Sequence, residues 1–329
     1  MKSFLGRRSK AVAGGVVAAL AIASVAVGAS AQNPTYNLKN LGGSISADGS
    51  STVGPYTQAA AELFSRAGAS KVEVTVGISG TGGGFQRFCK GETDLSDASR
   101  PMRISEAQAC KTNNIGSWRA FTVANDALTV VVSQQNSWAQ CLSVAELKKI
   151  WEPGSKVNNW KDVRSGFPDV ALKLFGPGTD SGTFEYFTEA INGKARASRT
   201  DYQASEDDNV LVQGVSGERG GMGYFGYSYY TENQNRLNAV QIRNPKTDQC
   251  VAPGVSTVHS NSYKPLSRPL FVYAKGSSFK RKEVQAFLDY IFDNEVKIAQ
   301  RARFVPLTKV QLKRARTNFA LAVKASNKG

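Results

Sequence analysis

Three short segments have the residue types and spacing to bind a small anion. They are Asp48-Gly49-Ser50-Ser51-Thr52-Val53-Gly54-Pro55, Gly77-Ile78-Ser79-Gly80-Thr81-Gly82-Gly83-Gly84-Phe85 and Gly176-Pro177-Gly178-Thr179-Asp180-Ser181-Gly182-Thr183-Phe184. Glycine lets the backbone approach a ligand closely, and Ser and Thr add hydroxyl donors. The unpaired N–H groups that open a helix favour negative charge. Any one such cluster is more often an N-cap and turn than a binding site. Three in one chain, none with the lysine of GxxxxGK(S/T) and none completing a dinucleotide fingerprint, point to an oxyanion receptor. A fourth segment, Asp94-Leu95-Ser96-Asp97-Ala98-Ser99-Arg100-Pro101-Met102, adds a guanidinium. Arg100 could fork onto two oxyanion oxygens, or onto a neighbouring carboxylate such as Asp97.

The remaining composition narrows the chemistry. His259 is the only histidine in the chain, so a Ser/His or Cys/His catalytic pair, or a histidine metal site, has little to draw on. The four cysteines, Cys89, Cys110, Cys141 and Cys250, form no CxxC motif and allow three pairings. The formal charge is +15. The cations are scattered, with a modest excess at 280–282 and 313–316, and no aromatic-basic ladder accompanies them. This pattern describes a solvated basic surface rather than a nucleic-acid tract.

The loops need elements to hold them. Val72 to Val76 alternates as a strand does, and Leu-Thr-Val-Val-Val within 124–133 suits a buried strand, as do 172–175 and 269–274. Helical spacing runs over 55–66, with Ala60, Leu63 and Phe64 on one face, and over Val284, Phe287, Leu288 and Ile291. Ser143 with Glu146 forms a capping box before Leu147, Ile150 and Trp151. The alternation of strands and helices predicts an α/β fold. The N-terminus reads as a secretion signal: Lys2, Arg7, Arg8 and Lys10, then an uncharged run to Gly28, then Ala29-Ser30-Ala31. The competing reading is an uncleaved anchor, since the uncharged run almost spans a bilayer. Cleavage after Ala31 removes four cations and no acid, leaving +11 on residues 32–329.

Taken in order, Asp48–Thr52, Ser79–Phe85, Asp94–Met102, Glu146–Trp151, Thr179–Phe184 and Gly223-Tyr224-Phe225-Gly226-Tyr227 resemble the phosphate-binding proteins of the high-affinity phosphate ABC importers, the PstS family. The likeness covers nearly all of the mature chain. It implies a two-lobed type II periplasmic-binding-protein fold with crossings near 124–128 and 262–267. Lobe one is then 32–126 plus 263–329, and lobe two 127–262. The implied disulfides are Cys89–Cys110 and Cys141–Cys250, since a bridge between lobes would hinder closure. The implied phosphate donors are Ser51, Thr52, Thr81 with Ser79 nearby, Ser181, Gly182 and Thr183. Two positions depart from the family pattern. Ser99 stands where an acid usually accepts the phosphate proton, and Pro177 where an arginine usually stands. The resemblance therefore makes Ser99-Arg100 the substitute cationic contact and leaves Asp126 or Asp180 to take the proton. It further implies a monomeric, non-enzymatic receptor in the periplasm or outside the cell. The ligand is inorganic phosphate, the partner a membrane permease, and no cofactor or nucleic acid is called for. A secreted phosphohydrolase and a surface adhesion module are the competing functions.

Overall fold

A computed structural model describes residues 36–179 and 181–327. The secretion signal, its cleavage point and Asp180 lie outside the described residues.

The chain begins with strand β1 (Gly42–Gly49), helix α1 (Gly54–Arg66), β2 (Lys71–Gly77), α2 (Gly80–Cys89), β3 (Leu95–Ala98) and α3 (Ile104–Thr112). β1 pairs in parallel with both β2 and β3. Pro55 falls in the first turn of α1, where the missing N–H costs nothing. The next strand, β4 (Trp118–Ser133), runs for 16 residues. It starts six residues before the apolar run that marks it in the sequence, because Arg119, Thr122 and Asn125 interrupt the apolar side chains of its first half.

Beyond β4 come β5 (Cys141–Ser143), α4 (Val144–Trp151), α5 (Trp160–Val163), β6 (Lys173–Gly176), α6 (Gly182–Phe187), β7 (Gln203–Ala204), α7 (Asp208–Gly217), β8 (Gly221–Gly226) and α8 (Tyr227–Glu232). The capping box of α4 forms as read: Ser143 Oγ accepts from the Glu146 amide at 3.2 Å, and the Glu146 carboxylate accepts from the Ser143 amide at 2.8 Å. Short strands β9 (Leu237–Ala239), β10 (Gln241–Arg243) and β11 (Cys250–Val251) and helix α9 (Val255–His259) follow. The chain returns along β12 (Ser267–Lys275) and ends in α10 (Lys282–Asp293), α11 (Glu295–Arg301) and α12 (Lys309–Ser326).

The main sheet has the order β2-β1-β3-β12-β4-β8-β6-β7, with β9 also on β4. β12 lies antiparallel to β4 over 118–127, whereas β8 and β9 take the same strand over 128–133. β4 therefore joins two hydrophobic cores. One draws on residues between Ile45 and Ala124 and between Leu270 and Ala322, including Phe64, Phe121, Phe287 and Phe292. The other draws on residues between Leu128 and Leu266, including Trp151, Trp160, Phe187 and Tyr224. This is the two-lobed type II arrangement. The disulfides Cys89–Cys110 and Cys141–Cys250 both form, one tying α2 to α3 and the other tying β5 to β11.

Candidate functional site

The β1–α1 loop is pinned from below. Ser50 N donates to Asp97 O at 2.9 Å, and Ser50 Oγ accepts from the amides of Thr52 and Val53 at 3.2 and 3.4 Å. Gly49, at φ +149°, lies so close to the Asp97 carbonyl that any Cβ would overlap it. Asp97 itself is fully buried. Thr57 donates to its Oδ1 at 2.9 Å, while among the described residues Oδ2 has no partner. Burial pushes its carboxyl up to about 7, against the Thr57 bond and with the help of the Asp48 charge.

The second loop hangs on Asp48. The Ser79 amide and hydroxyl donate to Asp48 Oδ1 at 3.0 and 2.8 Å, and Arg87 pairs with Oδ2. Thr81 Oγ1 lies 3.1 Å from Ser99 Oγ and accepts from the Ser99 amide at 3.2 Å, which ties the α2 start to the end of β3. In the opposite lobe Ser181 caps α6, accepting from the Thr183 amide at 3.1 Å.

The two lobes meet where Thr52 Oγ1 donates to Gly182 O at 3.4 Å. A Cβ on Gly182 would stand 2.7 Å from both Thr52 N and Oγ1. This contact separates two cavities. The first, about 250 Å³, is lined by Thr52, Ser79, Thr81, Ser99, Arg100 and Gly182, together with Arg103, Glu185, Tyr186, Glu189 and Arg268. The second, about 230 Å³, takes Ser51, Ser181, Thr183 and Asp126, and shares Thr52 and Gly182. The residues singled out by sequence are thus brought to one junction but divided between its two sides.

The charges on the two sides differ. Three arginines and two glutamates, Glu185 and Glu189, line the first cavity. Asp126, Asp208 and Arg303 line the second, and burial pushes Asp208 up to about 6. Arg100 forks onto Glu106, not Asp97, with bonds of 2.9 and 2.7 Å. Asp97 is unavailable because it is sealed beneath the β1–α1 loop. Burial opposes ionisation of Glu106, but bonds from Arg100 and the Arg103 amide hold its carboxyl below the ordinary range.

A PBP superfamily domain matches residues 27–295. The chain belongs to the PBP superfamily. Among members, Protein SphX of Synechococcus elongatus is 46% identical over 265 residues, 80% of this chain and 77% of the relative. The Phosphate-binding protein PstS of Staphylococcus haemolyticus is 36% identical over 268 residues, 81% and 82% of the two chains. A crystal structure of a possible phosphate binding protein from Planctomyces limnophilus superposes with a TM-score of 0.81 at 45% identity, covering 86% of this chain and 99% of the other.

Within this PBP-superfamily cleft, Arg268 escapes sequence reasoning. It sits at the second position of β12, opposite Asp126 on β4. Its Nε donates to Asp126 Oδ2 at 3.4 Å and its Nη2 to Thr52 Oγ1 at 3.1 Å, and its guanidinium carbon lies 3.5 Å from the Tyr186 ring centre. Burial pushes Asp126 above the ordinary carboxylate range despite the pull of Arg268. The sequence signal for Arg268 was slight: a cation directly before Pro269, one residue outside the run read as a strand.

Proposed function

We propose that this protein is a receptor outside the cytoplasm that captures inorganic phosphate between its lobes and passes it to the permease of an ABC importer. The observation that carries this reading is the Thr52–Gly182 junction, where residues of both lobes converge beside a cavity whose three arginines outnumber its two glutamates. A PstS relative at 36% identity is named a phosphate-binding protein, which supports the ligand and favours a receptor over an enzyme. Ser51, Thr52, Ser79, Thr81 and Ser99 are the proposed donors from lobe one (32–126 plus 263–329). Ser181, Gly182 and Thr183 are those from lobe two (127–262). Asp126, cross-strand from Arg268, is the proposed acceptor of the phosphate proton. The mature protein begins at Gln32 and acts as a monomer.

Monohydrogen phosphate carries a proton and sulfate does not. A carboxylate in the site therefore accepts a bond from phosphate and repels sulfate. Calorimetry on residues 32–329, unfolded and dialysed to strip bound ligand, tests this. One phosphate per chain is expected, with sulfate weaker by at least ~100-fold, about 3 kcal/mol, and a smaller gap in Asp126→Asn. Equal binding of the two anions, or binding of neither, refutes the reading.

A further inference from the structure

We infer that the guanidinium meeting the bound anion belongs to Arg268, not to Arg100. The inference rests on the anion-receptor reading above and assigns its charge contact.

Arg100 is already committed. Both ends of its fork are taken by the two oxygens of Glu106, and Nη1 also donates to Pro101 O at 3.1 Å. Glu106 in turn accepts from the Arg103 amide at 2.7 Å and so fixes the start of α3. An anion could claim this fork only by displacing a carboxylate that is itself 16% exposed, leaving that charge and a helix-end amide unpaired.

Arg268 is built differently. Its side chain is 12% exposed, yet its one carboxylate partner sits at 3.4 Å through Nε alone. A guanidinium carries five N–H donors. Here one goes to Asp126 and one to Thr52. Among the described residues no acceptor meets Nη1, while the side chain lines the cavity that holds Thr81 and Ser99. A cation this buried with a single long pairing is under-compensated, and an oxyanion in the cavity supplies what is missing.

The same side chain links charge to closure. Arg268 stands on a crossing strand, stacks on Tyr186 of one lobe and donates to Thr52 of the other. Parting the lobes removes Thr52 from one side or Tyr186 from the other. The fork is therefore aimed at the anion only when the lobes are shut, and an anion that engages it favours the shut form.

Calorimetry with inorganic phosphate on stripped wild type, Arg268→Ala, Arg268→Lys and Arg100→Ala decides the matter. A charge-assisted bond is worth about 1.5–3 kcal/mol, so Arg268→Ala should weaken binding by roughly 10- to 150-fold. Arg268→Lys, which keeps the charge and loses the fork, should fall between it and wild type. Arg100→Ala should lose less than about fivefold, the range of a partly exposed ion pair. A purely structural Arg268 would lower the melting temperature without ligand. The inference instead expects that value to hold while the rise on adding a fixed concentration of phosphate shrinks. Wild type that binds alongside an equally tight Arg268→Ala overturns the inference alone. So does Arg100→Ala that loses tenfold or more, a result that decides even if Arg268→Ala does not fold. Wild type that binds no phosphate overturns the receptor reading, and this assignment with it.

Discussion

At Gly182 one methyl group separates a shut cleft from a wedged one. Its Cβ would press on backbone and hydroxyl of Thr52, neither of which can yield without moving the β1–α1 loop. Overpacking of this kind costs about 1–3 kcal/mol. Gly182→Ala should therefore weaken phosphate binding about tenfold, read by calorimetry. Asp97 sets a second expectation. Its folded pKa of about 7 stands above its unfolded value, so the native state holds the proton more tightly. Its contribution is favourable at pH 4 and below and is lost as pH rises through about 7, by no more than about 4 kcal/mol. Denaturant titrations from pH 5 to 8 should show stability falling, and Asp97→Asn should flatten that slope. The hydroxyl loops were legible because each is a local run of Ser, Thr and Gly. Arg268 was not, since the groups that define it come from positions 52, 126 and 186.

At the scale of elements, α4 shows what local chemistry can announce. Ser143 and Glu146 close the capping box, and Arg164 then forks onto Glu146 at 2.6 and 2.8 Å. Burial opposes the charge, but the bonds from Arg164 and Ser143 hold the Glu146 carboxyl down to about 2. That stabilisation is present above the unfolded value and disappears as pH falls towards 2. Ser143→Ala should cost about 1 kcal/mol in urea unfolding. The cap was readable from two residues three apart, whereas the Arg164 contact, 18 residues downstream, was not. Strand β4 makes the same point. Its second half was visible, but the mixed stretch from Trp118, broken by Arg119, Thr122 and Asn125, is defined as a strand by its pairing with β12.

At the scale of the molecule, each disulfide stays within the reach of one lobe. Cys89–Cys110 packs with Phe85, Phe88 and Tyr273, and Cys141–Cys250 ties together the two outer strands, β5 and β11, of the three-stranded sheet. Neither bridge spans the closing junction. Replacing Cys141 and Cys250 by Ser should cost about 2–4 kcal/mol of stability, with phosphate affinity kept within about threefold because hinge closure does not load the bridge. A larger loss of affinity would show that lobe-two stability and closure are not separable. The two-lobed outline was legible from the ordered motifs. The meeting of Thr52 with Gly182, and the division of the donors around it, required the three-dimensional placement of the lobes.

Strand β4 also serves the two cores in different phases. Phe121 and Val123 enter the first core and Leu128, Val130 and Val132 the second, with a one-residue slip against β12 at Val123 between them. Deleting or inserting one residue between Ala124 and Leu128 would exchange the two buried faces of β4 in one core while leaving the other core correct. The slip at Val123 is therefore what lets one continuous strand present the right side chains to two different interiors.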